Sequence, residues 1–270
     1  MTNSPQSPLS VAQNIANRYA ALPQVEAVAL AGSQTSGVAD SGSDIDMYVY
    51  ITEEIPVGER RRIASTESLH PEVDNHFWEP GDEWVDARSG IHVDVMFRNK
   101  EWMEEQLDRV LKHHQASVGY STCFWDNVLV SRALFDRNGW FAAQQKTANQ
   151  PYPEELRRAI VAENYPILRN TQSSYLYQLS RALSRGDQVS VNHRIAALLA
   201  SYFDILFAVN RLPHPGEKRL VEIVSKRCER IPVGFAEQVN RLVTQKEEIL
   251  ENVNGLLDGL DELLIAEELL

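Results

Sequence analysis

The feature that most constrains how this chain can fold is a change of hydrophobic period near Trp102. Before it, apolar residues alternate by two: Ile45, Met47, Val49 and Ile51 in one run, Ile91, Val93, Val95 and Phe97 in another. After it they recur at the three- and four-residue spacing of a helix face. A period of two lays side chains on opposite faces of a strand, and a period near 3.6 gathers them on one side of a helix. Strands first and helices after can hide their apolar faces as a sheet covered by helices, followed by helices packed on one another. The expectation is an α+β chain ending in a helical bundle domain.

The finer reading assigns a tail and helix to residues 1–22, with Ser10 as the cap, Val11, Ile15, Tyr19 and Leu22 on one face, and Pro23 closing it. Strands are expected at Val25–Ala31, Asp44–Ile51 and Gly90–Arg98, a helix at Glu59–Leu69, and a further strand near Asn75–Trp78. Asn127–Phe135 fits either a strand or a buried helix. Pro151 and Pro153 mark a boundary, giving a first domain over 23–150 and a helical one over 151–270. In the latter, helices are expected at Glu154–Arg169, Tyr175–Arg185, Val189–Arg211, Glu217–Arg230 and Gly234–Leu269.

A hydrophobic fraction of 43% over 270 residues is enough for a real core. The net charge of -12 argues against a nucleic-acid partner, because sequence-independent binding rests on Lys and Arg neutralising phosphates. Cys123 and Cys228 are far apart and form no CxxC pair, which suits a reducing cytoplasm. No run approaches the length of a membrane span and the polar start is not a leader, so no membrane association is expected.

The chemistry concentrates between Gly32 and Asp94. Asp44 and Asp46 are separated by one residue, so on a strand both carboxylates leave the same face. Such a pair repels itself unless a cation intervenes, and Mg2+ commonly sits between one or two carboxylates and substrate phosphates. Gly32-Ser33 ends the preceding apolar strand, where glycine permits close backbone approach and a helix N-terminus can receive phosphate. Asp94, on the polar face of Gly90–Arg98 beside His92, Met96 and Arg98, adds a third carboxylate. Three converging aspartates can serve two metal ions about 3.5–4 Å apart, the arrangement used for nucleotidyl transfer.

The stretch GSQTSGVADSGSDIDMYVY, followed by HVDVMF, resembles the nucleotidyltransferase superfamily that includes aminoglycoside and minimal nucleotidyltransferases; ten residues separate Ser33 from Asp44. The resemblance covers Val25–Arg98 and implies a nucleotidyltransferase domain with a small mixed sheet. It further implies that Gly32 and Ser33 contact the triphosphate, that Asp44, Asp46 and Asp94 hold two Mg2+ ions, with Mn2+ as a substitute, and that ATP is the donor. Many relatives carry a basic residue just after Gly-Ser, where this chain has Gln34-Thr35-Ser36. The helical part resembles the superfamily more loosely, at SYFDILFAVNRLPHPGEK, which adds Lys218 as a nucleotide contact and draws attention to Asn210. The implied reaction moves AMP onto a hydroxyl of a small molecule, such as an aminoglycoside-like compound, or of a protein. The competing reading is a non-catalytic nucleotide-binding regulatory or antitoxin-like module. Oligomeric state is not legible.

Other features read as structural. Arg60, Arg61 and Arg62 suit a solvated helix face. The five tryptophans suit core packing rather than base stacking. Asp204, on an otherwise apolar helix, needs a buried partner.

Overall fold

The computed structural model describes residues 7–31, 44–66, 68–77, 79–245 and 247–270. They divide into two compact units: the residues up to Leu107 with Asn127–Gln150, and Asp108–Asp126 with Pro151–Leu270. The fold is α+β, with a six-stranded mixed sheet and a helical C-terminal part.

In the first unit, β1 (Val25–Leu30), β2 (Ile45–Ile51), β3 (Ser68–Asn75), β4 (Gly81–Asp86), β5 (His92–Asn99) and β6 (Arg132–Asp136) form one sheet in the order β3-β4-β5-β2-β1-β6. Among the described residues β2 and β5 run parallel, and the other paired strands are antiparallel. The alternation seen in the sequence puts Ile45, Met47, Val49, Val93, Val95 and Phe97 on one face, joined by Trp84 of β4. Helix α1 (Pro8–Ala20) covers it with Val11, Ile15 and Tyr19, and α2 (Val57–Ala64) adds Ile63.

Local chemistry moves several expected boundaries. The cap of α1 is Ser7, not Ser10: its Oγ accepts from Ser10 N at 3.2 Å, and Pro8 stands in the first turn, where a missing N–H costs no hydrogen bond. The helix expected to reach Leu69 stops at Ala64, and β3 follows. This edge strand carries Pro71 and exposes Leu69, His70 and Glu72, so it has no alternation to announce it. Strand β4 is hidden in the sequence by its acids: Asp82, 0% exposed, points inward beside Trp84.

Asp82 is tolerated there because Arg60 meets it. The guanidinium donates to both Asp82 oxygens, at 2.6 and 3.1 Å, and to Gly81 O at 3.0 Å, while its charge lies 4.3 Å from the centre of the Phe97 ring. The solvated face expected for the three arginines holds for Arg61 and Arg62, while Arg60 is buried. The ambiguous stretch Asn127–Phe135 holds both alternatives, the end of α4 (Cys123–Val130) and then β6. Helices α3 (Lys100–Leu111) and α5 (Trp140–Ala148) complete this part of the chain.

The second unit contains α6 (Glu154–Arg169), α7 (Tyr175–Ser184), α8 (Gln188–Val209), α9 (Leu220–Arg227), α10 (Phe235–Thr244) and α11 (Ile249–Ala266). The single helix expected over Gly234–Leu269 is two, and the one expected over Glu217–Arg230 is shorter at both ends. The core forms around α8, with Leu198, Tyr202, Ile205, Leu206 and Val209 meeting Phe235, Val253, Leu256 and Leu260. Asp204 on α8 has its partners: Ser121 donates to it through Oγ at 2.6 Å and through N at 3.1 Å. Asn210 joins Leu206 O to the backbone of Glu229 and Arg230, with bonds of 2.8–3.0 Å, a stapling role. Among the described residues no helix is long and apolar enough to cross a membrane.

Candidate active site

The sheet face opposite the α1–α2 core carries the candidate site. In the parallel pairing of β2 with β5, Asp46 is the register partner of Asp94, and in the antiparallel pairing of β4 with β5, Glu83 is the partner of Asp94 from the other side. Register partners on adjacent strands lie about 5 Å apart and point to one face, so three carboxylates stand in a row across three strands. Glu72 of β3 pairs with Glu83 and extends the row to the sheet edge. Asp44 precedes β2 by one residue and is exposed. The structure thus brings Asp46 and Asp94 together.

Electrostatics follow from this crowding. Partial burial, then the charges of Glu83 and Asp46, push the Asp94 carboxyl up to about 6, with His92 pulling the other way. Glu83 is held by Asn75 Nδ2 at 3.0 Å, and its second oxygen lies 3.8 Å from His92 Nε2.

The next rows of this face pair Tyr48 with Met96, then Tyr50 with Arg98. Small residues beside them, Ala29 against Tyr48 and Ala27 against Tyr50, leave room for the rings. Arg98 is the one arginine the sequence placed on the polar face, and it is occupied. Its guanidinium makes a two-bond pair with Glu79 at 2.7 and 2.8 Å, donates to Asn127 Oδ1 at 2.9 Å, and lies 3.7 Å from the Tyr48 ring centre. Trp140 and Phe141 pack on Tyr50.

This donor set fits a hard divalent cation. Carboxylate oxygens are the ligands magnesium prefers, and a cation beside Asp94 would favour its charged form against the burial and neighbouring carboxylates that raise it. Among the described residues no three His, Cys, Asp or Glu side chains are grouped closely enough to hold an ion alone. Magnesium commonly takes one or two carboxylates and fills its remaining positions with water and substrate phosphate.

Of the other expected contacts, Gly32 and Ser33 lie outside the described residues. Lys218 belongs to the other unit, exposed in the turn before α9. Glu83 was missed because GDEWVD shows no apolar alternation; the signal available was the two-residue spacing of Asp82, Trp84 and Asp86, which puts Glu83 on the opposite face. Of the tryptophans, Trp84 and Trp125 are buried, Trp102 is exposed, and Trp140 donates to Glu104 at 2.6 Å; Trp78 lies outside the described residues.

Comparison with known proteins adds little weight. Residues 127–220 match a family described as a domain of unknown function, DUF4037, which spans less than half of the chain. No curated protein matches in sequence. A solved structure of a nucleotidyltransferase-like protein from Exiguobacterium sibiricum 255-15 is similar over 94% of this chain and 73% of its own, at 14% identity and a TM-score of 0.45. A likeness that remote carries no assignment, so the reading rests on the site itself.

Proposed function

We propose that this chain is a metal-dependent nucleotidyltransferase that moves a nucleoside monophosphate, AMP from ATP, onto a hydroxyl acceptor and releases pyrophosphate. The observation that carries the reading is the register pairing of Asp46 with Asp94 on two parallel strands, on a face whose own arginine is committed to Glu79. With Arg98 paired to Glu79, bound cations are the means by which this acidic face would hold a triphosphate.

In this reading Asp46 and Asp94 would hold magnesium, Asp44, just before β2, would be a further ligand, and manganese would substitute. Bound metal would supply the positive charge that attracts the triphosphate and lowers the pKa of the acceptor hydroxyl. Gly32 and Ser33 take the phosphates. The acceptor oxygen forms a bond to the α-phosphorus in line with the bond to the β-phosphate, which breaks. Asp94, on the same face as Asp46, is the residue assigned to take the acceptor proton. The acidic row favours an acceptor bearing amines, either a small polyhydroxylated amine or a basic protein surface.

Calorimetric titration with ATP tests the binding half. Wild type should bind ATP only with Mg2+ or Mn2+ present, and Asp46→Ala should abolish that binding with the fold intact by circular dichroism. Metal-independent ATP binding, or full binding by the variant, would remove the reading.

A further inference from the structure

The row of carboxylates does not end at the two aspartates that the proposed function uses. Glu83 stands level with Asp94, on the strand that flanks it on the side away from Asp46. Asn75 Nδ2 fixes one of its oxygens at 3.0 Å, and its side chain is 33% exposed, so its charge is oriented and only partly screened. The guanidiniums of this unit that pair with carboxylates nearby serve others: Arg98 is joined to Glu79, and Arg60 is joined to Asp82 on the opposite face. His92 Nε2 lies 3.8 Å from the other oxygen of Glu83, a partial counter-charge.

We propose that Glu83 is a positioning residue of the cation site: it stands outside the ligand set, and its charge strengthens the hold of Asp46 and Asp94 on a divalent ion. This rests on the metal-binding reading of the two aspartates. Asp46 and Asp94 supply two negative charges, and a third, one strand spacing further on, adds Coulomb attraction that acts twice over on a doubly charged ion. The effect should fall with distance along the row, so Glu72, one more strand away and exposed, contributes less. A packing role for Glu83 would show instead as lowered melting of the metal-free Glu83→Gln variant.

The test is Mn2+ binding to the full chain, followed by electron paramagnetic resonance at fixed ionic strength without nucleotide. Glu83→Gln keeps an acceptor for Asn75 and should weaken Mn2+ by about tenfold; Glu72→Gln should weaken it by about twofold, and Glu83→Asp should retain most of the affinity. Melting of metal-free Glu83→Gln should be unchanged or higher, since one repulsion is gone. Mn2+ affinity of Glu83→Gln within twofold of wild type, beside an Asp46→Asn control that no longer binds, would overturn this inference alone. Equal losses in Glu83→Gln and Glu72→Gln with lowered melting would also overturn it, in favour of a structural role. Binding that survives Asp46→Asn would overturn both this inference and the site reading beneath it.

Discussion

Asp94 is where the competing demands on the site meet. A carboxyl raised to about 6 from an ordinary 3.8 takes up a proton more readily in the folded chain than in the unfolded one, so its contribution to stability falls as pH rises from about 4 to about 6. Asp94→Asn should therefore stabilise the protein at pH 7.5, by about 1 kcal/mol once screening of a half-exposed group is allowed for, and should do nothing at pH 4. Thermal melts at the two pH values check this. The same proton competes with metal, so Mn2+ affinity should rise between pH 5 and pH 7 with release of protons. The shared face of Asp46 and Asp94 was legible in sequence because each falls on the polar side of an alternating strand, whereas Asp44 lies just before β2. Glu83 was not, because the strand that aims it buries two acids, and burial of acids is decided by distant partners.

At the scale of elements, the ion pair of Arg60 and Asp82 ties α2 to β4 and with it the flank of the site. Arg60→Ala leaves Asp82 buried without its guanidinium and should cost about 3–5 kcal/mol, while Arg60→Met with Asp82→Leu should recover most of that, measured by urea unfolding. Ser7→Ala removes the cap of α1 and should cost about 1 kcal/mol. The apolar run of β1 and the alternating β2 and β5 were legible in sequence to within a residue or two. The edge strand β3 was not, because an exposed strand interrupted by proline has no buried face to write into its sequence. The break between α10 and α11 was missed for a related reason: helical spacing resumes after it, and the turn is made by Glu248 in a left-handed conformation (φ 56) rather than by glycine.

At the scale of the whole molecule, each unit has its own core and its own buried acids. In the helical unit Asp204, 1% exposed, organises the segment Ser117–Thr122 through Ser121, while Asn164 accepts from Gly119 N at 2.8 Å. Burial pushes Asp204 up to about 7 against the pull of the Ser121 hydrogen bonds. Asp204→Ala should cost about 2–3 kcal/mol and speed hydrogen exchange at the Ser121 amide, because its donors lose a buried acceptor. The α+β order of the chain was written in its change of period, whereas the anchoring of 117–122 to a helix some eighty residues later leaves no local trace.

The central claim is that this chain transfers a nucleotidyl group with Asp46 at the metal site. The most direct measurement is incubation with Mg2+ and each α-labelled NTP, with and without a panel of aminoglycosides and basic proteins, scoring label transfer and pyrophosphate release beside Asp46→Ala. Metal-dependent transfer that vanishes in the variant is the predicted result; nucleotide binding with no turnover for any acceptor, or transfer that persists without Asp46, would contradict the account.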